Sequence, residues 1–234
     1  MKLEQSQSEL SEALDKERQL NEIKSRFVSM ASHEFRTPLS TVLSSASLLS
    51  KYVTSEDQEK RNKHINRIKE SVKHLNDILE DFLSLGKLDE GKVSLHFSEF
   101  DMQDLVKETT EEMKGLLKKD QQLVIDHHGP TDVVSDKNLL KNILINLITN
   151  AIKFSNDGTT VTIRSNQEDG RAEITVADEG IGIAKEDQLH LFSSFFRGHN
   201  AINIQGTGLG LHISHDIVVN RHHGQLLVES KPGE

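Results

Sequence analysis

Apolar residues recur at steps of three and four through most of residues 1–90, and this spacing predicts helices. In residues 1–24 charged residues separate the apolar positions, which indicates a coiled-coil helix of irregular register. The helical pattern continues through residues 25–51 and past Pro38, and a connection follows near residues 52–57. A second helix then has the clearest apolar stripe, which consists of Ile65, Ile68, Val72, Leu75, Leu79 and Phe82.

The two helices predicted between residues 25 and 90 form an antiparallel hairpin, because the connection between them is short. One hairpin cannot bury a stripe this wide, whereas two hairpins packed as a four-helix bundle can. The pattern therefore predicts a homodimer whose bundle is built from residues 25–90, with residues 1–24 as a linker helix.

After Gly86 and Gly91, short alternating segments replace the long helices. Alternation predicts strands at residues 93–97, 123–125, 133–134, 160–165, 173–176 and 225–229. Helical spacing predicts a helix from an Asp101 N-cap to about Lys119, and further helices at residues 137–154, 184–196 and 209–220. We expect antiparallel strands with helices on one face, so that residues 91–234 form an α/β sandwich and the chain is of the α+β class.

Composition narrows the functional classes. The chain has 234 residues, of which 35% are hydrophobic and 28% are charged, as in a globular protein. The net charge of -9 argues against a duplex nucleic-acid partner. The absence of cysteine fits a reducing compartment, and we expect a cytoplasmic location. No stretch is long enough to span a bilayer, so we expect no membrane contact within this segment, although it could belong to a longer receptor.

His33 lies in a helical run without glycine, beside Glu34 and four residues before Thr37. Side chains four apart share a helix face, so His33 and Thr37 point the same way. Pro38 removes a backbone donor just beyond them and should kink the helix. Taken by itself, His33 is better explained as an ordinary surface histidine, and only the rest of the chain favours a function for it.

The helix at residues 137–154 carries an unusual polar stripe of Asn142, Asn146, Asn150 and Lys153. Asparagine is a mediocre helix former, so three of them at steps of four indicate a function. Amide oxygens suit Mg²⁺, and a lysine suits phosphate oxygens. A solvated polar face is the alternative.

Two glycine clusters follow. Residues 178–183, Asp-Glu-Gly-Ile-Gly-Ile, come directly after a predicted strand, where glycine allows close approach of a ligand. Residues 206–211, Gly-Thr-Gly-Leu-Gly-Leu, open a helix, whose free N–H groups can bind phosphate. Between them, Arg197 is a candidate phosphate contact. The alternatives are that residues 178–183 form an ordinary turn, that residues 206–211 form a flexible linker, and that Arg197 is an ordinary surface arginine.

The order of these segments resembles the catalytic core of the sensor histidine kinases of two-component systems. Residues 29–39, Ser-Met-Ala-Ser-His-Glu-Phe-Arg-Thr-Pro-Leu, resemble the H box of that family. Residues 146–155 resemble its N box, residues 178–182 its first glycine box, residues 192–197 its F box and residues 206–211 its second glycine box. The resemblance covers roughly residues 20–230, and five boxes in order are specific.

The resemblance implies that His33 is the phosphoacceptor and that Glu34 accepts its ring proton. Arg36 would assist the phosphoryl group. Thr37 would position water when phosphate is removed from an aspartate in the receiver domain of a response regulator. The implied activity is ATP-dependent autophosphorylation of His33 and transfer to that regulator, with phosphatase activity toward it.

For the second domain the resemblance implies ATP and Mg²⁺. Mg²⁺ would be held by Asn146 and Asn150, phosphates by Lys153 and the adenine amine by Asp178. The other cofactor-binding residues that the resemblance implies are Gly180, Gly182, Arg197, Gly206, Thr207, Gly208, Leu209 and Gly210. The family normally continues beyond Glu229 with a glycine turn and a further strand, and we expect that final strand to be absent here.

Related ATPases, DNA gyrase and chaperones, have a water-activating glutamate four residues before the metal asparagine. Here that position is Asn146, which cannot act as a base at neutral pH. Isolated residues 91–234 are therefore expected to bind ATP and hydrolyse it very slowly. Two other hypotheses remain: a nucleotide-binding signalling scaffold without kinase activity, and a structural coiled-coil dimer with a nucleotide-hydrolysing domain. Intact His33 and Asn150 disfavour the first, and Asn146 disfavours the second.

Overall fold

The structure is a computed structural model that describes residues 28–89, 94–168, 170–201, 204 and 206–233. The coiled coil predicted for residues 1–24 lies outside this part of the chain. The described residues form two compact units, divided between Leu83 and Ser84. No helix among the described residues is long and apolar enough to cross a membrane.

The first unit is a helical hairpin, as predicted. Helix α1 occupies residues 28–49, a short 3₁₀ turn spans Ser55–Asp57, and α2 spans Gln58–Asp89, so that its last turns belong to the second unit. The ring centroids of Phe35 and Phe82, at opposite sequence ends of the hairpin, are 5.9 Å apart. The rings of Tyr52 and His64, near the connection, stack at 5.6 Å. The two helices therefore run antiparallel.

The predicted apolar stripe of α2 is only partly buried within one chain. Ile78 is fully buried. Ile65, Val72 and Leu79, which are spaced seven apart, remain 39%, 45% and 49% exposed. A row of half-exposed aliphatic side chains at heptad spacing is typical of a helix face that packs against another helix.

The second unit is an α/β domain. Its elements, in chain order, are β1 (Ser98–Asp101), α3 (Met102–Met113), β2 (Gln122–His128), β3 (Asp132–Ser135), α4 (Lys137–Phe154), β4 (Thr160–Glu168), β5 (Arg171–Ala177), α5 (Lys185–Gln188) and α6 (Gly210–Asp216). Short 3₁₀ turns occupy Lys114–Leu116 and His199–Ala201, and a π-helical turn, Ile217–Arg221, continues α6.

The strands form a mixed arrangement. β1 pairs antiparallel with β3, and a separate three-stranded sheet has the order β2-β4-β5. Within that sheet β4 and β5 are antiparallel, but β2 and β4 are parallel, so the prediction of antiparallel strands is wrong for this pair. The chain between β2 and β4 includes α4 and is long enough for a parallel crossover, and alternation by itself does not specify strand direction.

Helix α4 is buried on two of its faces. Leu144 and Ile148 pack with α3 and the sheet in the main core, where both are at most 1% exposed. A second face packs in a smaller cluster through Ile143, together with Leu88 and Ile217. The remaining face is polar and carries the predicted asparagines. Asp136 caps the helix start by accepting hydrogen bonds from the Asn138 and Leu139 N–H groups.

Three predicted elements differ from the structure. The helix expected at 184–196 is only α5, because turns follow it and Phe195 has a left-handed φ of 64°. The strand expected at 93–97 begins later, at Ser98, where pairing with β3 starts. Residues 225–229 are in no strand, since no described residue pairs with them. Residues 94–97 and 225–229 include apolar side chains but pair with no described strand.

Candidate functional site

The His33 side chain projects from α1 into solvent and is 75% exposed. Its Nδ1 lies 3.6 Å from Oε1 of Glu34, whose side chain is only 11% exposed. A carboxylate beside one ring nitrogen favours the tautomer with the proton on that nitrogen. In that tautomer Nε2 keeps its lone pair and can act as an acceptor.

An open groove of about 540 Å³ begins at His33 and continues along α1. It is lined by residues with polar side chains, namely His33, Arg36, Thr37, Ser40, Thr41 and Ser44. The Thr37 hydroxyl donates to the His33 carbonyl oxygen at 3.4 Å, one turn away, as the shared helix face predicts. A guanidinium and several hydroxyls beside the imidazole suit an anionic phosphoryl group.

In the second unit, the polar face of α4 brings Asn146 and Asn150 together, as predicted. The Asn146 amide nitrogen donates to Ser214 Oγ at 2.9 Å, and its Oδ1 accepts from Asn150 Nδ2 at 3.3 Å. Both amide atoms of Asn146 therefore have protein partners. Asn150 Oδ1 has no hydrogen-bond partner among the described residues, so Asn150 fits a Mg²⁺ ion better than Asn146 does.

The second glycine cluster lies directly against this face. A Cβ on Gly210 would lie 2.2 Å from Asn146 Oδ1, and a Cβ on Gly206 would lie 2.7 Å from Lys153 Nζ. Gly208 has a φ of 69°, and a Cβ there would lie 2.7 Å from the Phe196 carbonyl oxygen. Backbone contacts and the positive φ favour glycine at Gly208, and a side chain at Gly210 would displace the Asn146 amide. The cluster and the asparagines therefore line one site.

Thr207 and Leu209 are placed differently from the glycines between them. The Thr207 Oγ1 accepts a hydrogen bond from the Leu209 N–H at 3.2 Å, and the Leu209 side chain is fully buried. The buried Leu209 side chain therefore leaves only its backbone groups to contact a ligand, and the Thr207 hydroxyl stabilises the loop.

Asp178 follows β5, at the end of α4 in space. Its Oδ1 accepts from Ser155 Oγ at 3.3 Å, and a Cβ on Gly180 would lie only 2.4 Å from the same oxygen. Burial raises the pKa of the Asp178 carboxyl above its usual value, while the hydrogen bonds from Ser155 and the Gly180 N–H act in the opposite direction.

Gly182 has a separate structural reason to be glycine. Its φ is 64°, and a Cβ would lie 2.0 Å from the Lys231 carbonyl oxygen. The packing of residues 231–233 on this turn therefore excludes a side chain, and the predicted contact of Gly182 with a base remains a prediction.

Arg197 contacts the loop that follows it. Its guanidinium donates to the carbonyl oxygens of Ala201 and Ile204. The start of this loop is also anchored by Asp187, which accepts from the His199 N–H at 3.0 Å and from its Nδ1 at 2.8 Å. These bonds lower the pKa of Asp187. The predicted phosphate contact of Arg197 remains a prediction.

Sequence reasoning did not identify Ser155 and Ser214. Ser155 closes α4 and contacts Asp178, and Ser214 lies four residues after Gly210 and contacts Asn146. The spacing of Gly210 and Ser214 on one helix face is a signal for the second residue. Only the fold brings Ser155 to Asp178, which is 23 residues away.

An exposed histidine on a helical hairpin, followed by an α/β domain with an asparagine- and glycine-lined site, defines a nucleotide-dependent phosphotransfer protein. The family "His Kinase A (phospho-acceptor) domain" matches residues 23–91. The family "Histidine kinase-, DNA gyrase B-, and HSP90-like ATPase" matches residues 135–234. The chain belongs to the sensor histidine kinases and contains the two domains of their catalytic core.

Individual proteins agree with this assignment. The chain is 34% identical, over 99% of its length, to the circadian input-output histidine kinase CikA of Synechococcus elongatus. It is 35% identical, over 91% of its length, to the sensor histidine kinase GacS of Pseudomonas protegens. The chain spans 31% of the first protein and 24% of the second. The solved structure of the Acinetobacter baumannii histidine kinase AdeS superposes with a TM-score of 0.60 at 28% identity, covering 80% of this chain and 86% of AdeS.

Proposed function

We propose that the chain uses ATP to phosphorylate its own His33 and passes the phosphoryl group to an aspartate of a response regulator. The observation that carries the proposal is the exposed His33 ring, whose Nδ1 faces the buried Glu34 carboxylate at 3.6 Å.

In the proposed reaction, His33 Nε2 forms a bond to the γ-phosphorus of ATP. The bond from that phosphorus to the β,γ-bridging oxygen breaks, and ADP leaves. The ring becomes cationic as the new bond forms, and its Nδ1 proton is stabilised by, or passes to, Glu34. Arg36, which lines the same groove, supplies positive charge for the phosphoryl oxygens.

The ATP site of the proposal is the asparagine and glycine site of the second unit. Lys153, which lies against Gly206, would contact the phosphates, and Asp178 would accept the adenine amine. Asn150 would hold Mg²⁺, whose charge would neutralise the phosphate oxygens. Asn146 is also proposed as a Mg²⁺ ligand, although its amide nitrogen and oxygen already form hydrogen bonds with Ser214 and Asn150.

The site is proposed to retain ATP rather than hydrolyse it. A base that activates water must accept a proton, and the amide of Asn146 cannot do so at neutral pH. The Asn146 amide nitrogen donates to Ser214, which further supports a role for Asn146 in positioning other groups rather than in accepting a proton.

We propose a homodimer as the active form. The support is the half-exposed row of Ile65, Val72 and Leu79 on α2. On α1, Leu39 and Leu43 are 54% and 70% exposed. A second hairpin would cover these side chains, and burying each fully contributes on the order of 1.5–3 kcal/mol. Light scattering on the purified chain should give twice its 26.3 kDa mass.

The test of kinase activity is incubation with γ-labelled ATP and Mg²⁺, followed by treatment with acid. The wild type should acquire an acid-labile label, and His33→Ala should acquire none while still binding ATP. His128→Ala is the matched control, because the His128 side chain is similarly exposed, at 71%, and lies in the second unit. A label that persists in His33→Ala would refute the proposal.

Phosphatase activity toward the regulator is proposed for Thr37, whose hydroxyl lies in the groove beside His33. Thr37→Ala should slow dephosphorylation of a phosphorylated receiver domain and leave autophosphorylation largely intact. Thr41→Ala is the control, since Thr41 lines the same groove and its hydroxyl likewise donates to the carbonyl one turn earlier. If Thr37→Ala and Thr41→Ala slow dephosphorylation equally, Thr37 has no specific role in it.

A further inference from the structure

Among the described residues, the Ser155 hydroxyl has one hydrogen-bond partner, which is the Asp178 carboxylate proposed to bind adenine. Ser155 is 1% exposed, and its Oγ donates to Asp178 Oδ1 at 3.3 Å. A hydroxyl buried to this degree cannot exchange its partner freely with bulk water. The bond therefore restrains one specific oxygen of Asp178.

The hydroxyl is not needed to end α4, because the backbone of Ser155 does that. The Ser155 N–H donates to the Ala151 carbonyl oxygen at 3.2 Å. The Ser155 carbonyl oxygen accepts from Lys118 Nζ at 2.5 Å, and the same ammonium donates to the Lys153 carbonyl oxygen at 2.8 Å. A cation on the last carbonyls is a favourable helix end by itself.

The backbone that carries Ser155 is also fixed against the Asp178 turn. Ser155 forms an isolated antiparallel bridge with Gly180, and the Ile181 N–H donates to the Phe154 carbonyl oxygen at 3.2 Å. From the other side, the buried Gln121 donates to the Ile152 carbonyl oxygen at 3.3 Å. The hydroxyl is thus presented to Asp178 from a rigid position.

We propose that Ser155 is a positioning residue for nucleotide recognition. By holding Oδ1 of Asp178, it leaves Oδ2 directed at the 6-amino group of adenine. The inference rests on the proposed function, in which Asp178 accepts that amine. It predicts that Ser155 contributes to discrimination between purines rather than to affinity for the phosphates.

The proposed role of Ser155 also has a consequence for the ionisation of Asp178. The hydrogen bond from Ser155 lowers the pKa of a carboxyl that burial raises. Without the hydroxyl that pKa should rise further, because the ionised form loses a donor. Binding of adenine by the carboxylate should then be lost at a higher pH than in the wild type.

The experiment compares the full chain with Ser155→Ala and Ser155→Thr in the presence of Mg²⁺. Dissociation constants are measured for ATP and for purine riboside triphosphate, which lacks the 6-amino group. Ser155→Ala should bind ATP about 10-fold more weakly, the scale of one hydrogen bond to a charged group, and bind the analogue as the wild type does. Ser155→Thr, which retains a hydroxyl, should recover most of the discrimination.

Lys118→Met serves as the structural control. It removes the cation from the end of α4 but leaves the Ser155 hydroxyl, so it should weaken ATP and the analogue equally and leave the pH midpoint of ATP binding unchanged. In Ser155→Ala that midpoint should move to higher pH. If Ser155→Ala weakens both nucleotides equally or leaves their ratio unchanged, the positioning role is refuted. If the wild type does not discriminate between the two nucleotides, the assignment of Asp178 in the proposed function fails instead.

Discussion

Replacing Gly210 by alanine tests whether the second glycine cluster and the asparagine face of α4 form one site. The added Cβ would lie 2.2 Å from Oδ1, 2.9 Å from Cγ and 3.1 Å from Nδ2 of Asn146. Ordinary contacts lie at about 3.5–4.0 Å, so the amide group as a whole must move. Gly210 has no positive φ, and alanine at the start of α6 therefore introduces no backbone strain.

The expected change in stability is small, because two effects oppose each other. Displacing Asn146 breaks its bonds to Ser214 and Asn150, at about 1 kcal/mol each. Alanine regains up to about 1 kcal/mol of helix propensity relative to glycine. The free energy of unfolding should therefore fall by about 1 kcal/mol, which lowers the Tm of a domain of this size by about 2–4 °C.

Nucleotide binding should fall much more, by tenfold or more, because the displaced amide enters the space beside Asn150. Calorimetric titration with ATP and Mg²⁺ measures the affinity, and thermal unfolding without nucleotide measures the stability. Gly115→Ala is the matched control, since a Cβ there would meet no atom of the described residues within 4 Å and Gly115 has no positive φ. In the Asn146→Ala background, Gly210→Ala should have little further effect on binding, since the clash is gone. ATP affinity in Gly210→Ala within twofold of the wild type would refute the reasoning.

Three further outcomes are expected. Ile148→Ala, at a fully buried core position, should lower the free energy of unfolding in urea by about 2–5 kcal/mol, whereas Val134→Ala, at a 69% exposed position, should change it by less than about 0.5 kcal/mol. Glu34→Gln should reduce the initial rate of autophosphorylation by about 10²-fold without changing ATP affinity, and an unchanged rate would exclude Glu34 as the proton acceptor. Burial raises the pKa of Asp178, so the carboxylate that is proposed to bind adenine should be protonated as pH falls through a value higher than that of an ordinary aspartate. ATP titrations at decreasing pH measure the resulting loss of binding, and Asp178→Asn should lack that pH dependence.

Local sequence determined the helices of this protein and the residue types of its site. The spacing in α2 and α4, the Asp101 and Asp136 caps and the left-handed φ of Gly208 each depend on contacts or conformations within a few residues. Helical periodicity is a local property, and so is the placement of two asparagines four apart on one face.

Only the tertiary structure decided the strand directions, the short α5 and the partners of the site residues. β2 pairs parallel with β4 across about 40 residues of chain. Likewise, the contacts of Asn146 with Ser214 and of Asp178 with Ser155 join residues 68 and 23 positions apart. Such contacts depend on how the whole domain packs, because no local spacing specifies which distant group will satisfy a polar side chain.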